Sequence, residues 1–311
     1  MAYRGRGPVR RAWKAAVKRR YASRSKYRRS YAKKRTYRRA PITKKRILNM
    51  TSRKKRDTMQ IWTNVQGATV SSTTFSNSPA VLLGSQTNLT GCYVFPWCAT
   101  ARDLVASDSS ANTISRLAER TASACFMRGL AESVEIQVNN GTPWQWRRIC
   151  FTAKGTLPGF TVSSTFAPYQ ETSAGITRAV NQLTGDRNSG AQYSLFDLLF
   201  KGQNSSDWTD VMIAKTDNSR LTIKYDKVMT IASGNEDGMI RTYKFWHPMN
   251  KTLVYDDDEK GDSMVSSNTS TIGKAGMGDY YVLDMFRSRY NGGASDQITF
   301  TPNATLYWHE K

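Results

Sequence analysis

The chain has 311 residues, is 39% hydrophobic and carries a formal charge of +22. The charge is unevenly placed: 24 of the 46 Lys and Arg precede Asp57, the first acid, which leaves 22 bases against all 24 acids in the rest. A segment so rich in like charge and so poor in apolar residues cannot condense alone, no apolar run reaches bilayer-spanning length, and the basic start lacks the apolar stretch of a secretory signal.

The first 56 residues therefore read as a disordered arm that orders only against a polyanion, either nucleic acid or anionic lipid. Its candidate DNA-binding cations are Arg10, Arg11, Lys18, Arg19, Arg20, Arg24, Lys26, Arg28, Arg29, Lys33, Lys34, Arg35, Arg38 and Arg39. Tyr21, Tyr27, Tyr31 and Tyr37 are interleaved with them. Each cation can neutralise a phosphate and release its counterion. Rings at this spacing can stack on unpaired bases, which a duplex hides, so the pattern leans toward single-stranded DNA without sequence preference. Past Ala40-Pro41, two clusters, Lys44-Lys45-Arg46 and Arg53-Lys54-Lys55-Arg56, read as a two-part nuclear address for import receptors, or as further phosphate binders.

From Asp57 the composition changes to strands and turns, with a length suited to one large all-β domain over 57–311. Strands are expected at Thr58–Val65, Ser133–Val138, Trp144–Thr152, Asp210–Lys215, Arg220–Ile231, Met239–Trp246, Lys251–Asp256, Tyr280–Phe286, Gln297–Thr301 and Thr305–Glu310. In Ser133–Val138, Val134, Ile136 and Val138 fall on one face and Glu135 and Gln137 on the other, the period of a half-buried strand. Asn139–Gly141 signals the turn that follows. Two short helices are expected, one capped by Asn112 and one opened by a Ser194/Asp197 capping box. Strands joined by turns and Ser/Gly/Asn-rich loops indicate a sandwich or barrel rather than a parallel sheet.

The body shows no catalytic equipment. Its one Gly-Lys pair, Gly273-Lys274, is followed by Ala275 and makes no phosphate loop. His247 and His309 stand alone among aromatics and read as packing residues. The cysteines at 92, 98, 125 and 150 lack metal-ligand spacing and read as free buried thiols. In the acidic run Asp256–Asp262, Lys260 and Ser267 stand where a calcium loop needs ligands, so a solvated loop is expected. No cofactor, no metal and no membrane are expected, and the protein is expected not to be an enzyme. Eight Trp and 15 Tyr are more than a lone domain needs and point to interfaces.

The Arg/Tyr-rich segment, the junction Ser52–Met59 with Lys54-Lys55-Arg56-Asp57-Thr58-Met59 at its heart, and an all-β body of this size together resemble the capsid proteins of genomoviruses. These are the gemycircularvirus-like group of small circular single-stranded DNA viruses. The resemblance implies an eight-stranded jelly-roll sandwich with long inter-strand loops. It also implies a T=1 icosahedral shell of about 60 identical subunits, an inward arm on the packaged genome, and residence in the virion and, during assembly, the host nucleus. The sequence lacks the Cys/His cluster suggested by related geminivirus coat proteins, and circovirus capsids have a shorter body. A cellular nucleic-acid-binding protein with a basic tail, of chromatin or ribosomal type, is the alternative.

Overall fold

The computed structural model describes residues 43–311 apart from 71, 86–90, 107–109, 156, 159, 161, 184, 186 and 187. The DNA-binding residues expected from Arg10 to Arg39 lie outside the described residues. By its internal contacts the chain divides into Met1–Leu48 and Asn49–Lys311. The division falls within a helix, α1 (Lys44–Thr51), where the sequence reading expected a disordered arm up to residue 56.

The fold is all-β. Its strands in chain order are β1 (Arg53–Met59), β2 (Ile61–Thr63), β3 (Ala80–Leu83), β4 (Tyr93–Cys98), β5 (Ala124–Val138), β6 (Trp144–Ala153), β7 (Glu171–Thr172) and β8 (Gly175–Ile176). They continue with β9 (Arg178–Val180), β10 (Thr222–Ile231), β11 (Met239–Val254), β12 (Asp258–Lys260), β13 (Ser263–Val265), β14 (Asp279–Ser288) and β15 (Gln297–Glu310). One antiparallel sheet has the order β1-β15-β5-β11, with β3 also on β15, and a second has the order β10-β6-β14-β4. Period-two alternation supplies each sheet with an apolar inner face. Two core clusters join the sheets: Trp97, Met127, Leu130, Val282 and Trp308 belong to one, and Phe95, Val134, Ile136, Trp146, Phe286 and Phe300 to the other. The second sheet is also covered outside. Helix α2 (Gly190–Leu199) lays Leu195, Phe196 and Leu199 against Ile149, Phe151 and Leu283, which face away from the first sheet.

Several expected elements are corrected. The first strand begins at Arg53, four residues before the expected boundary at Asp57, because β1 pairs with β15 from Arg53↔Glu310 to Met59↔Ala304. Gln297–Thr301 and Thr305–Glu310 are one strand despite Pro302. That residue falls between the stretch paired to β3, ending at Phe300, and the stretch paired to β1, beginning at Ala304, so on that side a missing N–H breaks no ladder. Met239–Trp246 and Lys251–Asp256 likewise join into β11, with a bulge between Pro248 and Lys251 that holds Asn250 at φ 49°. Asp210–Lys215 is a turn. The Asp210 carboxylate accepts from Met212 N at 2.8 Å and its carbonyl accepts from Ile213 and Ala214 N. Asn112 opens no helix; its amide donates to the Asp103 and Arg120 carbonyls at 2.9 and 3.0 Å and closes a loop instead. α2 begins four residues before Ser194, whose hydroxyl donates back to the Gly190 carbonyl rather than capping an end.

Candidate nucleic-acid interface

The second basic cluster sits on β1, and strand alternation splits it. Arg53, Lys54 and Arg56 are exposed while Lys55 is buried. Lys55 Nζ donates to the Glu119 carbonyl at 2.6 Å and to Thr121 Oγ1 at 3.3 Å, and lies 3.5 Å from Glu310 Oε2. Glu310 in turn accepts from Thr121 Oγ1 at 2.5 Å and from Trp308 Nε1 at 2.8 Å. Burial would raise its carboxyl, but the Thr121 and Trp308 donors and the Lys55 charge outweigh it and hold the group below the usual carboxylate range. In the folded chain Lys55 is thus a structural cation. Of the residues expected to meet phosphates or an import receptor, this cluster presents Arg53, Lys54 and Arg56. In the first cluster, Lys44, Lys45 and Arg46 all lie on α1, and Arg46 is exposed.

The contrast between neighbours is measurable. Lys55→Met strands the buried Glu310 carboxylate and is expected to cost about 3 kcal/mol of unfolding free energy. Lys54→Met, one residue away on the outer face, is expected to stay within about 0.5 kcal/mol. Urea midpoints of the two variants check this; equal midpoints would contradict the inward placement of Lys55.

Five arginines of the body, Arg102, Arg120, Arg147, Arg148 and Arg178, are buried and paired internally. Arg148 on β6 and Arg178 on β9 each bridge Glu132 on β5 and Asp284 on β14, at 2.6 and 2.7 Å for Arg148 and 3.0 and 2.6 Å for Arg178. All four side chains are fully buried, so the ring of charge ties the two sheets together between the two apolar clusters. Trp146 Nε1 donates to Asp284 at 2.7 Å, and the Arg178 guanidinium lies 4.2 Å from the Trp97 ring centre. His247 is placed 4.0 Å from Glu132, and burial, aided by the Arg148 charge, depresses its pKa to about 4. The histidine is therefore a neutral packing residue near pH 7.

Arg120 is also buried. It grips Asp257 with two bonds of 2.6 and 3.0 Å and lies 3.8 Å over the Tyr255 ring. Asp257 also accepts from Ser267 N at 3.0 Å. The acidic run considered for calcium thus spends Asp257 on Arg120 and folds residues 258–262 into the β12–β13 hairpin. Cys92, Cys98, Cys125 and Cys150 are buried and form no disulfide among the described residues, and burial pushes the thiols of the last three up.

Sequence reasoning missed the ring, although a signal was present. Arg148 is in phase with Trp144, Trp146 and Cys150, and Asp284 is in phase with Tyr280, Val282 and Phe286. A charge in register with an apolar face must be paired inside. No family model matches the chain, and no curated protein matches it either.

Proposed function

We propose that this protein is a non-enzymatic viral shell protein that self-assembles around single-stranded DNA, with the basic segment before β1 condensing the genome and carrying nuclear import. The observation that carries the reading is the acid-free run of 24 Lys and Arg that ends in the first strand of the sheet. Lys55 is spent on Glu310, but the run holds no carboxylate of its own, so the counter-charge of the rest is expected from a partner. In a shell of about 60 copies the arms would bring on the order of 1,400 positive charges, enough to neutralise much of a small genome.

The strand order supports a jelly roll. Take the eight principal strands in chain order as β1, β4, β5, β6, β10, β11, β14 and β15. They pair first–eighth–third–sixth in one sheet and fifth–fourth–seventh–second in the other. This order, with β3 added on β15, matches what a double Greek-key jelly roll would give, a fold used by shell proteins but also by lectins and cupins. The basic segment favours the shell among these. Exposed apolar residues on turns and loops, among them Ile213, Ile272 and Tyr290, supply surface for subunit contacts.

Electron microscopy of the purified full chain tests the proposal. Closed particles of one size that carry nucleic acid are expected. A monomer at every salt and protein concentration, with or without DNA, would favour the basic-tailed cellular binding protein instead.

A further inference from the structure

We propose that the outer face of the β1-β15-β5-β11 sheet is a stacking platform for a single-stranded polynucleotide, centred on Phe126, Trp246 and Tyr307. The inference rests on the nucleic-acid reading above and extends it from the N-terminal segment to the folded body.

The outward positions of these strands place aromatics and cations side by side. Lys54, His309 and Phe126 lie opposite one another across β1, β15 and β5. The next outward row is Arg56, Tyr307 and Gly129. The glycine matters: a Cβ there would meet Trp246 Cζ2 at 2.7 Å. Its absence lets the indole of β11 lie across β5 and reach Tyr307, with ring centres 5.9 Å apart and planes at 58°. Phe126 and His309 form a second pair at 6.3 Å and 42°. Phe126 is 37% exposed and Trp246 52% exposed, although both stand on a regular sheet with an ample inner core available.

The charge around these rings has one sign. Lys54, Arg56, Arg128 and Lys244 flank them, and Arg128 is steadied by a 2.6 Å bond to Asn250 Oδ1. Among the described residues of these four strands, Asp57, Glu132 and Glu310 are buried inward, while the outward Glu135 sits beyond Ser133, away from the aromatic rows. Three inter-strand steps and five residues along β5 give a surface of about 14 by 17 Å. An open, cation-flanked aromatic surface of this kind accepts splayed bases on its rings and phosphates on its rim. A duplex offers it no base faces. A second copy of the same face would set Lys54, Arg56 and Arg128 against themselves.

The test uses the full chain and fluorescein-labelled oligo(dT) at about 0.5 M salt, where the purely electrostatic part of binding is weakened. W246A/Y307A is expected to lose about tenfold or more in affinity for oligo(dT), and much less for a duplex of equal length. Ultraviolet cross-linking of the unaltered chain, read by peptide mass spectrometry, is expected to mark Trp246 or Tyr307. This readout decides the matter even if the variant unfolds. Equal affinities with cross-links confined to residues 1–52 would overturn the inference and leave the proposed function standing. An unaltered chain that binds no oligonucleotide at any salt would overturn both. A variant that changes particle assembly without changing oligo(dT) affinity would assign the face to a neighbouring subunit and overturn the inference.

Discussion

Asp284→Asn is expected to lower the unfolding free energy by about 3–5 kcal/mol, the usual consequence of removing one partner from a buried ion set. Asp284 accepts from Arg148 Nε at 2.7 Å, from Arg178 Nη2 at 2.6 Å and from Trp146 Nε1 at 2.7 Å. An asparagine oxygen in the Oδ1 position can keep the Arg148 and Trp146 bonds, but its amide then faces the Arg178 guanidinium and two buried cations are left sharing Glu132 alone. Replacing Glu132, Arg148, Arg178 and Asp284 together by apolar residues of similar volume is expected to cost far less per group, because no charge is then left without a partner. Urea unfolding followed by Trp fluorescence measures both, and a loss below about 1 kcal/mol for Asp284→Asn would show that the ring does not hold the sheets together.

The acid limb separates two contributions by their sign. Burial alone would raise the Asp284 carboxyl, but Arg148 and Arg178 outweigh it and hold it below the ordinary carboxylate range. A depressed acid contributes stability that is complete above the unfolded value of about 4 and is lost as pH falls through the folded one. His247 acts in a higher window. Held at about 4 against an ordinary 6.5, it favours the fold fully above 6.5, and that contribution is lost as pH falls toward 4. The asparagine variant should therefore flatten the stability curve below about pH 4 and leave the slope from 6.5 to 4 in place.

Much of this fold was legible from residue type because an outer polar face alternates with an inner apolar one. Ser133–Val138 and Trp144–Thr152 read correctly, as did the turn between them. The first half of β5 did not, since the register shift between Met127 and Gly129, which leaves Arg128 without an opposite residue on β15, breaks the period of two. Pro302 and the bulge at Asn250 each split one long strand into two on paper, because the pairing that tolerates them lies in other parts of the sequence. The net charge of the body was also legible, but its distribution was not. Arg102, Arg120, Arg147, Arg148 and Arg178 are all buried, and only the sheet pairing reveals which acid each one meets. The same limit applies to the Phe126–Trp246–Tyr307 face, whose members come from three strands far apart in the chain. The N-terminal segment stood out without any structure, since 24 bases and no acid need no fold to be read.

Deleting residues 2–40 is expected to abolish nucleic-acid packaging while leaving the body folded. The deletion removes 17 Lys and Arg and no acid, leaving 29 bases against 24 acids. If all 17 engaged a single strand, the affinity would fall with a slope of about 12 log units per log unit of salt, and that dependence should largely vanish with them. Tyr21, Tyr27, Tyr31 and Tyr37 leave as well, each taking a stacking contribution of about 1–3 kcal/mol where it meets a base. The sheet has no reason to follow, because its first hydrogen-bonded pair is Arg53↔Glu310, thirteen residues past the cut. The absorbance ratio at 260 and 280 nm of purified assemblies should drop to that of bare protein, with the urea midpoint unchanged. Retention of nucleic acid at the full-length level would place genome binding on residues 41–311. Collapse of the midpoint would mean that the basic segment is part of the fold, and the shell reading would lose the feature it depends on.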